Sequence, residues 1–178
     1  YVHHNINSDE FENLISSHNC DIFVSMSFNQ IFIHHIINLP PMKTINCHAG
    51  SLPFYRGRNV LNWALINDEN FFGITVHYMD EGIDTGDIIL QRHCGIDDSD
   101  DYFTLLEKAH NKCAEVLYDG LKILQSYEIE PIKQKLIHPV GFYCAQRKVG
   151  DEVISWNQTS REVFNFVRAL CKPGPMAR

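Results

Sequence analysis

Asn46 and His48 stand two residues apart at the end of the apolar run Lys43 to Cys47, and a stiff, basic segment, Ser51-Leu52-Pro53-Phe54-Tyr55-Arg56-Gly57, follows. In a strand, residues i and i+2 point to one face, so the amide and the imidazole converge. An imidazole titrates near neutral pH, as a general base must, and amide N–H groups can hold a developing oxyanion. The same spacing also fits a polar strand end that merely binds water. A carboxylate would complete a catalytic set by orienting the ring and favouring its protonated form. The candidates lie in Met79 to Asp87: Asp80, Glu81, Asp84 and Asp87, with Gly82 and Gly86 allowing a turn tight enough to aim one of them inward. Read alone, the run is equally an acidic hairpin tip in solvent.

Two other chemistries fit less well. Asp84-Thr85-Gly86 is the tripeptide of aspartic proteases, but those need two such carboxylates and the chain carries one copy. Ten histidines and Cys47 invite a zinc site. No H-x-x-x-H or C-x-x-C spacing supports it, and the adjacent pairs His3-His4 and His34-His35 would point apart in a strand, so no metal is expected.

The elements that must position these residues follow from periodicity. A helix is expected from Asn7 to Ser17, with Asn7 as cap and Glu10 three residues on. Strands are expected from Asp21, over Lys43 to Cys47, over Phe71 to Asp80 and over Asp87 to Gly95. Pro40 and Pro41 stop a helical turn, and Asn59 to Asn67 forms a helix with Val60, Leu61, Ala64 and Leu65 on one face. A long helix follows the acidic run Asp97 to Asp101, with an apolar stripe of Phe103, Leu106, Cys113, Leu117, Leu121 and Leu124. Residues 126 to 158 show no regular pattern. Thr159 and Glu162 then form a capping box for a helix through Leu170, with Phe164, Val167 and Leu170 aligned. This order predicts an α/β fold whose mainly parallel sheet carries an antiparallel addition.

The chain has 178 residues and a net charge of −7, a poor starting point for binding a polyanion, so no nucleic-acid partner is expected. No run approaches the roughly 18 apolar residues that span a bilayer, so no membrane partner is expected. Six scattered cysteines fit free thiols in a reducing cytoplasm, and Asn157-Gln158-Thr159 is then not a glycosylation site. The first residue is Tyr1 and the last segment is Pro173-Gly174-Pro175-Met176-Ala177-Arg178, which reads as a fragment.

Taken together, N-x-H, then S-L-P-x-Y-R-G, then H-Y-M-D-x-G-x-D-T-G resembles the folate-dependent formyltransferase family, with 38 positions between Asn46 and Asp84. The resemblance runs from about Asp21 to Gln91 and more weakly to the end. It implies a Rossmann-like formyltransferase fold flanked by helices, with 1–125 as a catalytic core lacking the family's first β-α-β unit and 126–178 as an extension. It implies Asn46, His48 and Asp84 as the catalytic trio. It also implies that Asn29, Gln30, Ile31 and Phe32, with Asp80, Glu81, Gly82 and Ile83, close on the pteridine of 10-formyltetrahydrofolate. Gln30 and Ser51 depart from the Arg and Leu usual in the family, so backbone rather than the Gln30 side chain is expected to meet the folate.

The segments Arg56-Gly57-Arg58-Asn59 and Gly141-Phe142-Tyr143 resemble the nucleotide-sugar N-formyltransferases of O-antigen biosynthesis, as does Ile154-Ser155-Trp156, a block shared with the tRNA enzyme. That similarity implies a dTDP-linked amino sugar as partner, met by Tyr55, Arg56, Arg58, Trp63 and Tyr143, in a protein open to homodimerisation. Trp156 is expected in the core. Methionyl-tRNA formylation, 10-formyltetrahydrofolate hydrolysis and a non-enzymatic folate-binding scaffold are the alternatives.

Overall fold

The computed structural model describes residues 4–126 and 129–178, so His3 of the first histidine pair lies outside the described residues. In chain order the elements are α1 (Asp9–Ser16), β1 (Phe23–Met26), α2 (His34–Ile37), β2 (Thr44–His48), β3 (Arg56–Gly57), α3 (Val60–Ile66), β4 (Phe71–Tyr78), β5 (Ile88–Gly95), α4 (Tyr102–Gln125), α5 (Gln134–Ile137), β6 (Tyr143–Cys144) and α6 (Ser160–Ala169). Four strands form one sheet in the order β1-β2-β4-β5, and β3 pairs with β6. β1 and β2 are parallel, as are β3 and β6, while β4 and β5 are the antiparallel addition. α3 and α4 pack against the sheet, in keeping with the α/β order expected from sequence.

Alternation along the strands separates packing from chemistry. Ile45 and Cys47 of β2 and Phe72, Ile74 and Val76 of β4 are buried in the core with α3 and α4. Their neighbours Asn46, His48, Thr75 and His77 fall on the opposite face, where Asn46 pairs with His77 and His48 with Thr75. α4 lies across β4 and β5 on the core side, with Gly120 set against Val76. Its buried stripe is Leu105, Ala109, Cys113, Val116, Gly120 and Leu124. Phe103, expected in that stripe, is exposed. The buried face lies about one residue from the apolar maximum because the small Ala109 and Gly120 allow close approach to the sheet. Asp101 caps α4 directly, in a capping box with Thr104.

Three further features differ from the expectation. Ser8, not Asn7, caps α1 by accepting from the Phe11 N–H. Asn7 instead bridges the segment after β1, donating to the Ile31 carbonyl (2.8 Å) and accepting from the Ile33 N–H (3.1 Å). α6 has the expected Thr159–Glu162 capping box, but it turns Asn165, Arg168 and Ala169 inward and leaves Phe164 and Val167 half-exposed. Its partner surface is polar: Asn62 of α3 donates to the Ala169 carbonyl (2.7 Å), and Arg168 donates to the carbonyls of Asp97 and Asp100. Trp156 is 78% exposed rather than in the core. Residues 129–178 pack back on the preceding elements, through β6 on β3, α6 on α3 and a bridge between Ile88 of β5 and Ile132.

Candidate active site

Asn46 and His48 project from the carboxyl end of β2, and the loop from Met79 to Asp87 brings Asp84 to them. Asp84 adopts a left-handed backbone, φ 55°, which a short polar side chain tolerates. Asp80 accepts from the Gly82 N–H (3.1 Å) and the Thr85 hydroxyl (2.5 Å), closing the turn. The Asp84 carboxylate then lies 3.4 Å from Asn46 Nδ2 and 3.7 Å from His48 Nδ1. Gly57 donates its N–H to Asp84 Oδ2 at 2.9 Å. Only glycine serves there: its φ is +93°, and a β-carbon would stand 2.6 Å from the Cys144 carbonyl.

A hydrogen bond fixes the chemical form of the His48 ring. His48 Nε2 lies 2.6 Å from the Tyr55 carbonyl, which can only accept, so Nε2 carries the proton and Nδ1 the lone pair. His77 Nδ1 donates to the Tyr78 carbonyl (2.7 Å), and its Nε2 lies 3.3 Å from Asn46 Nδ2 and 3.5 Å from Asp84 Oδ1. Burial holds His48 below its usual pKa, with His77 adding to the effect and Asp84 and the Tyr55 carbonyl opposing it. The ring is therefore neutral at neutral pH. Burial alone would raise Asp84, but His77, His48 and the Gly57 N–H outweigh it and hold the carboxyl at about 2. A neutral base with its free lone pair 3.7 Å from an ionised carboxylate can accept a proton and have the resulting imidazolium stabilised. The two Asn46 bonds, 3.3 and 3.4 Å, are long and readily exchanged for a shorter one to an oxyanion.

All three residues line one cleft of about 520 Å³. Asn29, Gln30, Ile31 and Phe32 form one wall, and Asp80, Gly82 and Ile83 another. Ile31 and Ile83 are 69% and 52% exposed, apolar surfaces presented to the opening. Gln30 turns its side-chain oxygen away to accept from the Ile6 N–H (3.3 Å). Glu81 lines a neighbouring cleft with Lys43 and Tyr78 instead. Of the acceptor-side residues, Arg58 lines the trio's cleft and is exposed. The other four do not line it. Tyr55 is buried, with its hydroxyl on Glu69 (2.6 Å). Arg56 is buried on Gln134. Trp63 donates to the Ala145 carbonyl (2.9 Å), and Tyr143 stacks under Arg56. Each of the four is held by a neighbour that sequence spacing does not reveal.

Sequence reasoning missed His77, Gln134 and the backbone groups of Gly57 and Tyr55. His77 had a signal, since antiparallel pairing of the two strands sets it opposite Asn46; main-chain donors have none. Among the described residues no three His, Cys, Asp or Glu side chains are grouped to hold a metal ion.

The family described as Formyl transferase matches residues 2–121. A methionyl-tRNA formyltransferase from Caldanaerobacter subterraneus is 37% identical over 169 residues, 95% of this chain and 54% of that protein. This chain thus spans about half the length of the curated relatives it matches. A sugar N-formyltransferase from a Shewanella species superimposes with a TM-score of 0.77 at 25% identity, covering 95% of this chain and 67% of that one. The formyltransferase PseJ from Anoxybacillus kamchatkensis, solved with a UDP-linked formamido sugar and tetrahydrofolate, gives a TM-score of 0.64 at 27% identity, covering 75% and 67%.

Proposed function

Because the chain belongs to the formyl transferase family, we propose that it carries the catalytic site of a folate-dependent N-formyltransferase acting on a nucleotide-linked amino sugar. The observation that carries this reading is the meeting of Asn46, His48 and Asp84 in one cleft with the Asn29–Phe32 wall. A cleft of about 520 Å³ falls within the usual range for a small-molecule site, and the exposed Ile31 and Ile83 suit the flat face of a pteridine.

In this reading 10-formyltetrahydrofolate supplies an activated formyl group. His48 takes the proton of the attacking amine at Nδ1. Asn46 donates to the oxyanion that forms on the formyl oxygen, a contribution of about 3 kcal/mol for one such donor. Collapse of that intermediate breaks the bond from the formyl carbon to N10, the proton taken by His48 passes to N10, and tetrahydrofolate leaves. Asp84 stabilises the imidazolium and keeps His48 aimed.

Arg58, exposed at the cleft, supports an anionic acceptor such as a sugar nucleotide. The net charge of −7 weighs against a long polyanion. Methionyl-tRNA is the second reading, favoured by the 37% identity to enzymes of that name. The test incubates the purified full-length protein with 10-formyltetrahydrofolate and either dTDP- and UDP-amino sugars or charged tRNA. Gain of one formyl unit by a sugar nucleotide supports the first reading. Formylation of tRNA alone reverses the choice, and loss of formyl to water alone assigns a hydrolase.

A further inference from the structure

Gln134 opens the short helix α5 in a segment without sequence periodicity, yet it is only 3% exposed. Its side-chain nitrogen donates to the carbonyls of Asp84 (2.9 Å) and Gly86 (2.7 Å), one on each side of Thr85. Its oxygen accepts from Nε (3.0 Å) and Nη2 (2.6 Å) of Arg56, which forks onto it from β3. Both donors and both lone pairs of the amide are therefore in use. Arg56 is fixed in turn by the Val140 carbonyl (3.1 Å) and the Tyr143 ring. The next residue, Gly57, holds the Asp84 carboxylate directly. Asp84 is thus gripped twice from the β3–β6 side, at its backbone by Gln134 and at its side chain by Gly57.

We infer that Gln134, oriented by Arg56, is a positioning residue that holds the backbone of residues 84–86 so that the Asp84 carboxylate faces His48. The inference rests on the reading of Asn46, His48 and Asp84 as the catalytic trio. It gives Arg56 a task in place of the acceptor contact expected from sequence. The Asp84 backbone stands at φ 55°, and the only side-chain donor to the carbonyls of Asp84 and Gly86 among the described bonds is Gln134. Removing that donor frees the loop to carry the carboxylate away from the ring.

The test reads the His48 ring itself. The titratable groups facing it are Asp84 and His77. The ring's titration midpoint is followed by NMR in the wild type, Asp84→Asn, Gln134→Met and the double variant, with His48→Gln to assign the signal. The Asp84 carboxylate raises the His48 midpoint, so Asp84→Asn lowers it. Gln134→Met, which keeps the volume and loses the bonds, is expected to lower it by at least half as much, and the double variant to match Asp84→Asn. Formyl transfer by Gln134→Met is expected to fall tenfold or more in kcat with KM for the folate unchanged. Should Gln134→Met fail to fold, Gln134→Asn, one methylene too short to reach both carbonyls, gives the same readings. A wild-type midpoint in either folded variant, with Asp84→Asn shifted, overturns the positioning role alone. No shift in Asp84→Asn overturns the trio and this inference with it.

Discussion

Gly50 lies two residues beyond His48 in the loop leaving β2, and alanine there tests how tightly the base must be held. A β-carbon on Gly50 would stand 2.4 Å from the Tyr55 carbonyl oxygen and 2.5 Å from His48 Nε2. Those two atoms form the 2.6 Å hydrogen bond that fixes the ring's tautomer. Ordinary contact begins at 3.4 Å, so the ring or the carbonyl must retreat by about 1 Å. Gly50 has no left-handed backbone, so the effect is one of space and not of strain. A misplacement of about 1 Å can cost ~100-fold in rate. Overpacking costs about 1–3 kcal/mol, a few degrees of melting temperature for a chain of this size. Formyl transfer by Gly50→Ala should therefore fall ~100-fold in kcat, while a folate analogue still raises its melting temperature. Gly95→Ala is the control, because no atom lies within 4 Å of a β-carbon there. A Gly50→Ala protein with kcat within threefold of wild type would refute the claim that the Tyr55 carbonyl sets the working form of His48.

The remaining predictions use the same geometry. Asp84→Asn removes a charge 3.7 Å from His48 Nδ1; at an effective dielectric near 20 that attraction is about 4 kcal/mol, so kcat should drop ~1000-fold. A drop under tenfold would separate Asp84 from the imidazolium. Burial lowers His48 from its ordinary 6.5, and the neutral ring is the base, so kcat/KM should rise with pH through a midpoint below 6.5 and then level. The unfolded chain takes that proton first, so the stability this ring contributes is present above 6.5 and lost as pH falls below it; urea titrations across that range check the sign. Thr75, fully buried, donates to the Gly50 carbonyl (2.6 Å) and accepts from Gln91 (2.7 Å). Thr75→Val removes both bonds, while the Gly50 carbonyl keeps the Leu52 N–H and Gln91 keeps the Leu52 carbonyl, and should cost about 1–2 kcal/mol in urea unfolding; an unchanged midpoint would mean that the two bonds contribute nothing net.

Much of the fold was legible because it rests on local rules. Strand alternation placed Asn46 and His48 on one face, and the helices over Val60–Ile66, Tyr102–Gln125 and Ser160–Ala169 each had a cap or an apolar face to announce them. What failed was choosing between neighbours. Asn7 and Ser8 are both good caps, and Asn7 was taken by carbonyl and amide groups 24 and 26 residues away. The faces of α4 and α6 were displaced because small or polar residues fitted the actual partner better than larger apolar ones did.

In the site, the sequence by itself determined which chemical groups are available and which strand end carries two of them, because residue type and a period of two are local properties. The tertiary structure alone decided that Asp84 faces His48 and that Tyr55, Arg56, Trp63 and Tyr143 stand away from the cleft. It also decided that His77, Gln134 and two main-chain groups complete the arrangement. Those outcomes depend on bonds spanning up to 84 positions, and on backbone donors and acceptors that every residue shares. Such bonds come into existence when packing excludes water and each buried polar group must find a partner.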